Sequence, residues 1–187
     1  MIRVGEEARA EKPPEANVAV LGLGNVLIGD DALGPTVIKV LEAEYEFPRG
    51  VSVQDLGTPG LDLTPYLAGV AAVIVVDTVR ANGAPGEVRL YRRDEILKHP
   101  PQPRLSPHDP GLKEALLTVE FSGSGPSEML LVGVIPGEVR TGVGLSAAVR
   151  AAVRPAVGEV VRELARLGVE PIARAVPGPP DLWWERP

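Results

Sequence analysis

Asp30 and Asp31 stand side by side in the stretch G-N-V-L-I-G-D-D-A-L-G-P, which runs from Gly24 to Pro35. Adjacent carboxylates repel each other, and neither is at home among apolar side chains. Their place between two apolar segments therefore asks for a chemical reason. Asp77 closes a second apolar run, A-A-V-I-V-V-D, and His108 lies in a proline-crowded segment with Pro107 before it and Asp109-Pro110 after it. Two carboxylates and one imidazole form a donor set suited to a borderline divalent cation, with coordination positions left open. Prolines on both sides of the His108-Asp109 pair would hold the imidazole still, which suits a ligand. Each residue also has a plainer reading. Asp30 or Asp31 would cap the helix that follows, Asp77 would be an ordinary strand-end residue, and His108 an exposed loop residue. His99, in the same segment, has only its type to recommend it and is taken as structural.

Composition removes several other chemistries. The 187-residue chain has no cysteine, which excludes a disulfide framework, a thiol nucleophile, sulfur-held zinc and iron–sulfur clusters. Its formal net charge of −6 and its scattered Lys and Arg argue against nucleic acid as a partner. No apolar run approaches the roughly 20 residues of a membrane span, and the first residues contain no apolar signal core. Gly22 and Gly24 are followed by Gly29, two places late for the dinucleotide fingerprint. There is neither a phosphate loop with the lysine-and-serine/threonine ending nor a G-x-S-x-G nucleophile elbow.

The elements that must position these residues follow from apolar patterning. Asn17 to Leu23 reads as a strand buried on both faces. Apolar residues at Val37, Ile38, Leu41 and Tyr45 predict a helix from about Gly34, with Pro35 in its first turn. Val51 to Leu56 predicts a second strand, Gly57-Thr58-Pro59-Gly60 a tight turn, and Leu61 to Leu67 a short helix. Ala71 to Val76 predicts a third strand that stops at Asp77; after the turn residues Asn82 to Gly86, Glu87 to Tyr91 predicts another. His99 to Pro110 reads as irregular, Asp109 to Val119 as a helix, Ser122 to Ser127 as a turn and Met129 to Ile135 as a buried strand. Leu145 to Leu167 is amphipathic, with Pro155 expected to kink or split it and Gly168 to cap it. Strands alternating with helices predict an α/β fold: a mostly parallel twisted sheet with helices on both faces, in a single domain. That domain spans 17–169, after a flexible extension at 1–16 and before a proline-rich tail at 170–187. The tail's Trp183-Trp184 would lie on the body of the protein or meet a partner chain. Working groups in such sheets gather at the carboxyl ends of the strands, where strand order reverses.

Taken together, these segments resemble the nickel–iron hydrogenase maturation proteases. V-L-G-L-G-N-V-L-I-G-D-D-A-L-G (Val20 to Gly34) is similar to that family's opening motif, and L-G-T-P-G-L-D-L (Leu56 to Leu63) to its G-T-x-G turn. V-I-V-V-D-T-V (Val73 to Val79) followed by A-P-G (Ala84 to Gly86) matches the second acidic position. L-S-P-H-D-P-G-L (Leu105 to Leu112) resembles the S-x-H segment, and L-L-V-G-V-I-P (Leu130 to Pro136) the late strand. The resemblance covers about Val18 to Val169. It implies a cytoplasmic endopeptidase that removes the C-terminal extension of a [NiFe]-hydrogenase large-subunit precursor after nickel has entered, with no nucleic-acid or membrane partner. It places the family's metal-binding triad on Asp31, Asp77 and His108. The nickel would be supplied by the precursor, and other divalent metals would be able to occupy the site. It makes Asn25, Asp30, Gly57, Thr58 and Gly60 candidates for substrate contact, and assigns no protein base or nucleophile beyond the triad. Ala32 departs from the glycine that many members carry. Two rival readings remain at this stage. One is a non-catalytic metal-binding or escort protein of the same fold. The other is a receiver-like signalling domain, although here the acidic pair comes late after its strand and no lysine follows the last strand.

Overall fold

A computed structural model describes residues 17–59, 63–98 and 111–186. The segments 1–16 and His99 to Pro110, on which an extension and an irregular loop are expected, lie outside the described residues. Four strands run parallel: β1 (Val18–Leu23), β3 (Val51–Gly57), β4 (Ala72–Thr78) and β6 (Glu128–Val134). β5 (Val88–Arg92) closes one edge antiparallel to β6, and the sheet order is β3-β1-β4-β6-β5. The expected α/β architecture is the one observed.

Every residue of β1 is buried, as its unbroken apolar run requires. Side chains alternate across a strand, so the central strands feed two separate cores. Val18, Val20, Ile74, Val76, Leu130 and Val132 meet helices α1 (Leu33–Glu44) and α5 (Ala147–Arg166) on one face. Ala19, Leu21, Val73, Val75, Met129 and Leu131 meet α2 (Thr64–Leu67), α3 (Arg93–Lys98) and α4 (Leu112–Phe121) on the other. α3 has no counterpart in the sequence-based expectation. Its R-D-E-I-L-K sequence buries only Ile96, too little apolar surface to show a period.

Three further boundaries depart from expectation. β4 continues through Asp77 to Thr78, because Asp77 and Thr78 stay in register with Gly133 and Val134. α5 is one helix, not two, and Pro155 stands exposed in its interior. Pro155 removes a single N–H, while Ala152, Val153, Ala156 and Val157 keep both sides of it packed on the sheet. Tyr45, expected as helix, opens β2 (Tyr45–Glu46), which pairs antiparallel with β7 (Ile172–Ala173) and ties the tail to the body. Farther along the tail Trp184 is buried and Trp183 is 58% exposed, with the two rings edge-to-face at 5.7 Å. Gly168 does end α5: its φ is +77°, and the N–H groups of Gly168 and Val169 bond the carbonyls of Ala165 and Leu164. No helix among the described residues is long and apolar enough to cross a membrane.

A charged cluster fastens α5 to the far edge of the sheet. Glu163 is buried and receives Arg166 from its own helix and Arg92 from β5, while Arg166 also bonds Glu128 at the start of β6. Burial acts to raise the Glu163 carboxyl, but the hydrogen bonds from Arg166 and Arg92 overturn it and hold the pKa below the ordinary value. A lowered folded-state pKa stabilises the protein above the unfolded glutamate value and ceases to do so as pH falls through the folded one. Glu163→Gln is therefore expected to cost about 2 kcal/mol at neutral pH. In urea titrations at stepped pH, the gap from wild type should close below about pH 4. A gap that stays constant down to pH 2 would assign the loss to packing instead.

Candidate active site at the carboxyl edge of the sheet

From β1 the chain crosses through α1 to β3 on one side; it then returns to enter β4 on the other. Strand order thus reverses between β1 and β4, and the crevice above their carboxyl ends is the expected place for a site. Glycines bring the groups to that crevice. A methyl group on Gly34, in the first turn of α1, would lie 2.1 Å from the Leu23 carbonyl oxygen and 2.7 Å from that of Val76. One on Gly22 would lie 2.4 Å from Ile38 Cγ1. With neither methyl present, α1 starts directly on the ends of β1 and β4. The loop between β1 and α1 has to turn above them.

That loop ends in a short 3-10 turn, Gly29–Ala32, which holds both acids. Neither caps a helix, contrary to expectation: the residue before the turn is Ile28, the N-cap of α1 is Ala32, and no side-chain cap bond forms at either. The acids are used elsewhere. A 3-10 turn has three residues per turn, so neighbours project about 120° apart, and the two carboxylates part company.

Asp31, 4% exposed, turns inward over the strand ends. Its Oδ2 accepts from the Asn25 N–H at 2.8 Å and its Oδ1 from the Thr78 hydroxyl at 3.3 Å. These bonds orient the carboxylate directly beside the end of β4. Asp77, partly exposed, precedes Thr78 in that strand and by alternation belongs to the opposite face, the one packed by α4. The Asp31 carboxylate thus touches β4 through Thr78, the residue that follows Asp77. His108 lies outside the described residues, four positions before α4 in sequence.

Asp30 is fully buried and faces away from this crevice. Its carboxylate accepts from Gly137 N at 2.8 Å, Glu138 N at 2.7 Å, Ser146 N at 2.6 Å and Ser146 Oγ at 2.9 Å. A carboxylate enclosed by these donors touches the loop between β6 and α5, and the substrate contact expected of it gives way to that internal role. Asn25 is partly buried; its side-chain oxygen accepts from Leu27 N, which shapes the loop's entry. Gly57 ends β3 at φ +58°, and its carbonyl accepts from Gly24 N at 2.7 Å, so the G-T turn sits beside the acidic loop with Thr58 exposed. Gly60 lies outside the described residues. Ala32 adopts φ −73° and ψ 2°, a conformation open to any residue, so the alanine brings no strain.

Thr78, Gly137, Glu138 and Ser146 were not among the expected site residues. Only Ser146 carried a readable signal, a hydroxyl residue just ahead of an amphipathic helix. It does cap α5, accepting from Val149 N. The oxygen donors of Asp31 and Asp77 fit a divalent ion but cannot enclose one without a third ligand. No group of three or more His, Cys, Asp or Glu gathers among the described residues.

The family model for hydrogenase maturation proteases matches residues 35–163. The hydrogenase 2 maturation protease of Escherichia coli K12 is 35% identical over 158 residues, covering 84% of this chain and 96% of the relative. The hydrogenase expression/formation protein HoxM of Azotobacter vinelandii is 36% identical over 159 residues, covering 84% and 77%. Among solved structures, the hydrogenase maturating endopeptidase HybD from E. coli superposes with a TM-score of 0.78 at 34% identity, over 85% of this chain and 98% of that one. The [NiFe] hydrogenase maturation protease HybD from Thermococcus kodakarensis gives a TM-score of 0.59 at 28% identity, over 80% and 99%.

Proposed function

This chain belongs to the hydrogenase maturation proteases, which are peptide-bond hydrolases, and from that premise we propose that it removes the C-terminal extension of a [NiFe]-hydrogenase large-subunit precursor in the cytoplasm, after nickel has been delivered to that precursor. The observation that carries the reading is the bond from the Thr78 hydroxyl, next to Asp77 in β4, to the Asp31 carboxylate at the point where strand order reverses.

The nickel is the precursor's cargo. Asp31, Asp77 and His108 bind and orient it, and three side chains leave a divalent ion short of ligands until the precursor supplies the rest. A precursor without nickel lacks that anchor and does not seat its scissile bond at the rim. Coordination alone then enforces the order, loading before cutting. Asn25, Gly57 and Thr58 flank the approach of the peptide. The bond is broken by water, in keeping with a chain that has no cysteine and no serine elbow.

The direct test incubates the protein with purified large-subunit precursor, with and without nickel, and weighs the products. The expected result is loss of the extension from the nickel-loaded form alone. Equal cutting of both forms would remove nickel from the recognition step. Two uncut precursors would remove this substrate altogether.

A further inference from the structure

Asp30 stands next to a proposed ligand, yet its carboxylate is fully buried and faces a different loop. Burying an ionised carboxylate is costly unless its oxygens are well supplied with donors, and here they are. Three backbone N–H groups and one hydroxyl converge on it, from Gly137, Glu138 and both polar groups of Ser146. These donors lie more than a hundred positions further along the chain, so the contact is tertiary. Ser146 is also the N-cap of α5, so the carboxylate sits at the positive end of that helix.

Backbone bonds run alongside. Asp30 N donates to the Glu138 carbonyl at 2.9 Å, Gly29 N to the Gly142 carbonyl at 2.8 Å and Gly142 N to the Leu27 carbonyl at 2.9 Å. Gly29 takes φ +53°, and a methyl group there would lie 2.7 Å from the Glu138 oxygen. The loop after β6 is thus stitched to the loop after β1, with the Asp30 carboxylate as a side-chain rivet. Asp31 is the next residue in the same 3-10 turn. A backbone rotation of the turn that frees Asp30 would also swing Asp31 away from Thr78 and Asn25.

We infer that Asp30 is a positioning residue: by gathering the Gly137, Glu138 and Ser146 donors it locks the β6–α5 loop against the Gly29–Ala32 turn and so sets the direction of the Asp31 carboxylate. This rests on the proteolytic reading above and adds a residue that acts through Asp31 without touching the precursor. An apolar core needs no such rivet to fold, but a site that must hold one carboxylate in one direction does.

Asp30→Asn keeps the shape but turns an NH2 group toward backbone N–H donors. In the full chain, kcat for the loaded precursor is expected to fall roughly 100-fold, the scale of a displacement of about 1 Å, with KM nearly unchanged. Amide exchange at Gly137, Glu138 and Ser146 should quicken while the β1 and β4 amides stay protected. Ser146→Ala removes one donor to Asp30 together with the cap bond from Val149 N and should lower kcat about tenfold; paired with Asp30→Asn it should lower kcat little further, since both act on it through one cluster, while melting reports the lost cap separately. A folded Asp30→Asn protein with wild-type kcat overturns the inference, as does a loss of rate that follows the unfolded fraction alone. Should Asp30→Asn fail to fold, Ser146→Ala decides: wild-type kcat with slow exchange at Gly137 and Glu138 overturns it. Failure of wild-type protein to cut any precursor would sink the proteolytic reading instead, and the exchange result would still report whether Asp30 holds the two loops together.

Discussion

Asp31→Asn and Asp77→Asn are each expected to lower the rate of precursor processing by at least about 100-fold, the lower end of what a positioned acid–base or charge-bearing carboxylate supplies, while the protein stays folded. Folding should survive for reasons particular to each site. Asp31 accepts from a backbone N–H and a hydroxyl, among its contacts. An asparagine there keeps an oxygen for Asn25 N, and the Thr78 hydroxyl can rotate to accept from its NH2. Asp77 is partly exposed at a strand end although its Oδ1 is buried, and an amide of the same shape fits the same space. What both variants lose is negative charge at the crevice, which on the proposed function is what the precursor's nickel meets. The check is product mass after timed incubation, together with thermal melting of each variant. Near-wild-type processing by either one would remove that carboxylate from the site.

Two glycine-to-alanine changes are expected to move stability in opposite directions. Alanine is favoured over glycine in a helix by about 1 kcal/mol, and both Gly34 and Gly158 are helical. At Gly158 a methyl group would meet nothing within 4 Å, so Gly158→Ala should stabilise by close to that amount. At Gly34 the methyl would lie 2.1 Å from one carbonyl oxygen, 2.6 Å from the Leu23 nitrogen and 2.7 Å from the Val76 oxygen. These are backbone atoms of the two central strands and cannot rotate aside. Overpacking of this kind costs about 3 kcal/mol, so Gly34→Ala should destabilise by about 2 kcal/mol net of its helix preference. It should also slow processing, because α1 can relieve the clash only by lifting the Asp31 turn off the strand ends. Urea midpoints measure the first effect and precursor turnover the second. A Gly34→Ala protein as stable as Gly158→Ala would mean that α1 does not press on the strands as described.

Local pattern was legible where one segment carried its own signal. The all-apolar run of β1, the helical spacing of Val37, Ile38 and Leu41, the buried strand before Pro136 and the glycine cap at Gly168 each depend on neighbours in sequence. Elements with little apolar content were not legible. α3 hides one isoleucine among charges, and β2 and β7 are two residues each, strands only because the tail folds back to meet them. Pro155 read as a break because propensity counts one lost bond. The packing on both sides of it outweighs that loss in the folded chain.

The sequence by itself determined the order of the main strands and helices and the presence of acids after the first and at the end of the third of the main strands, since hydrophobic period and residue type are properties of short stretches. Only the tertiary structure decided that Asp30 and Asp31 part company. Two adjacent carboxylates look alike in a string of letters, and what separates them is the set of donors each one meets. Those donors come from Asn25 and Thr78 for one and from Gly137, Glu138 and Ser146 for the other, brought within reach only when the sheet closes and the loops at its carboxyl edge pack against each other.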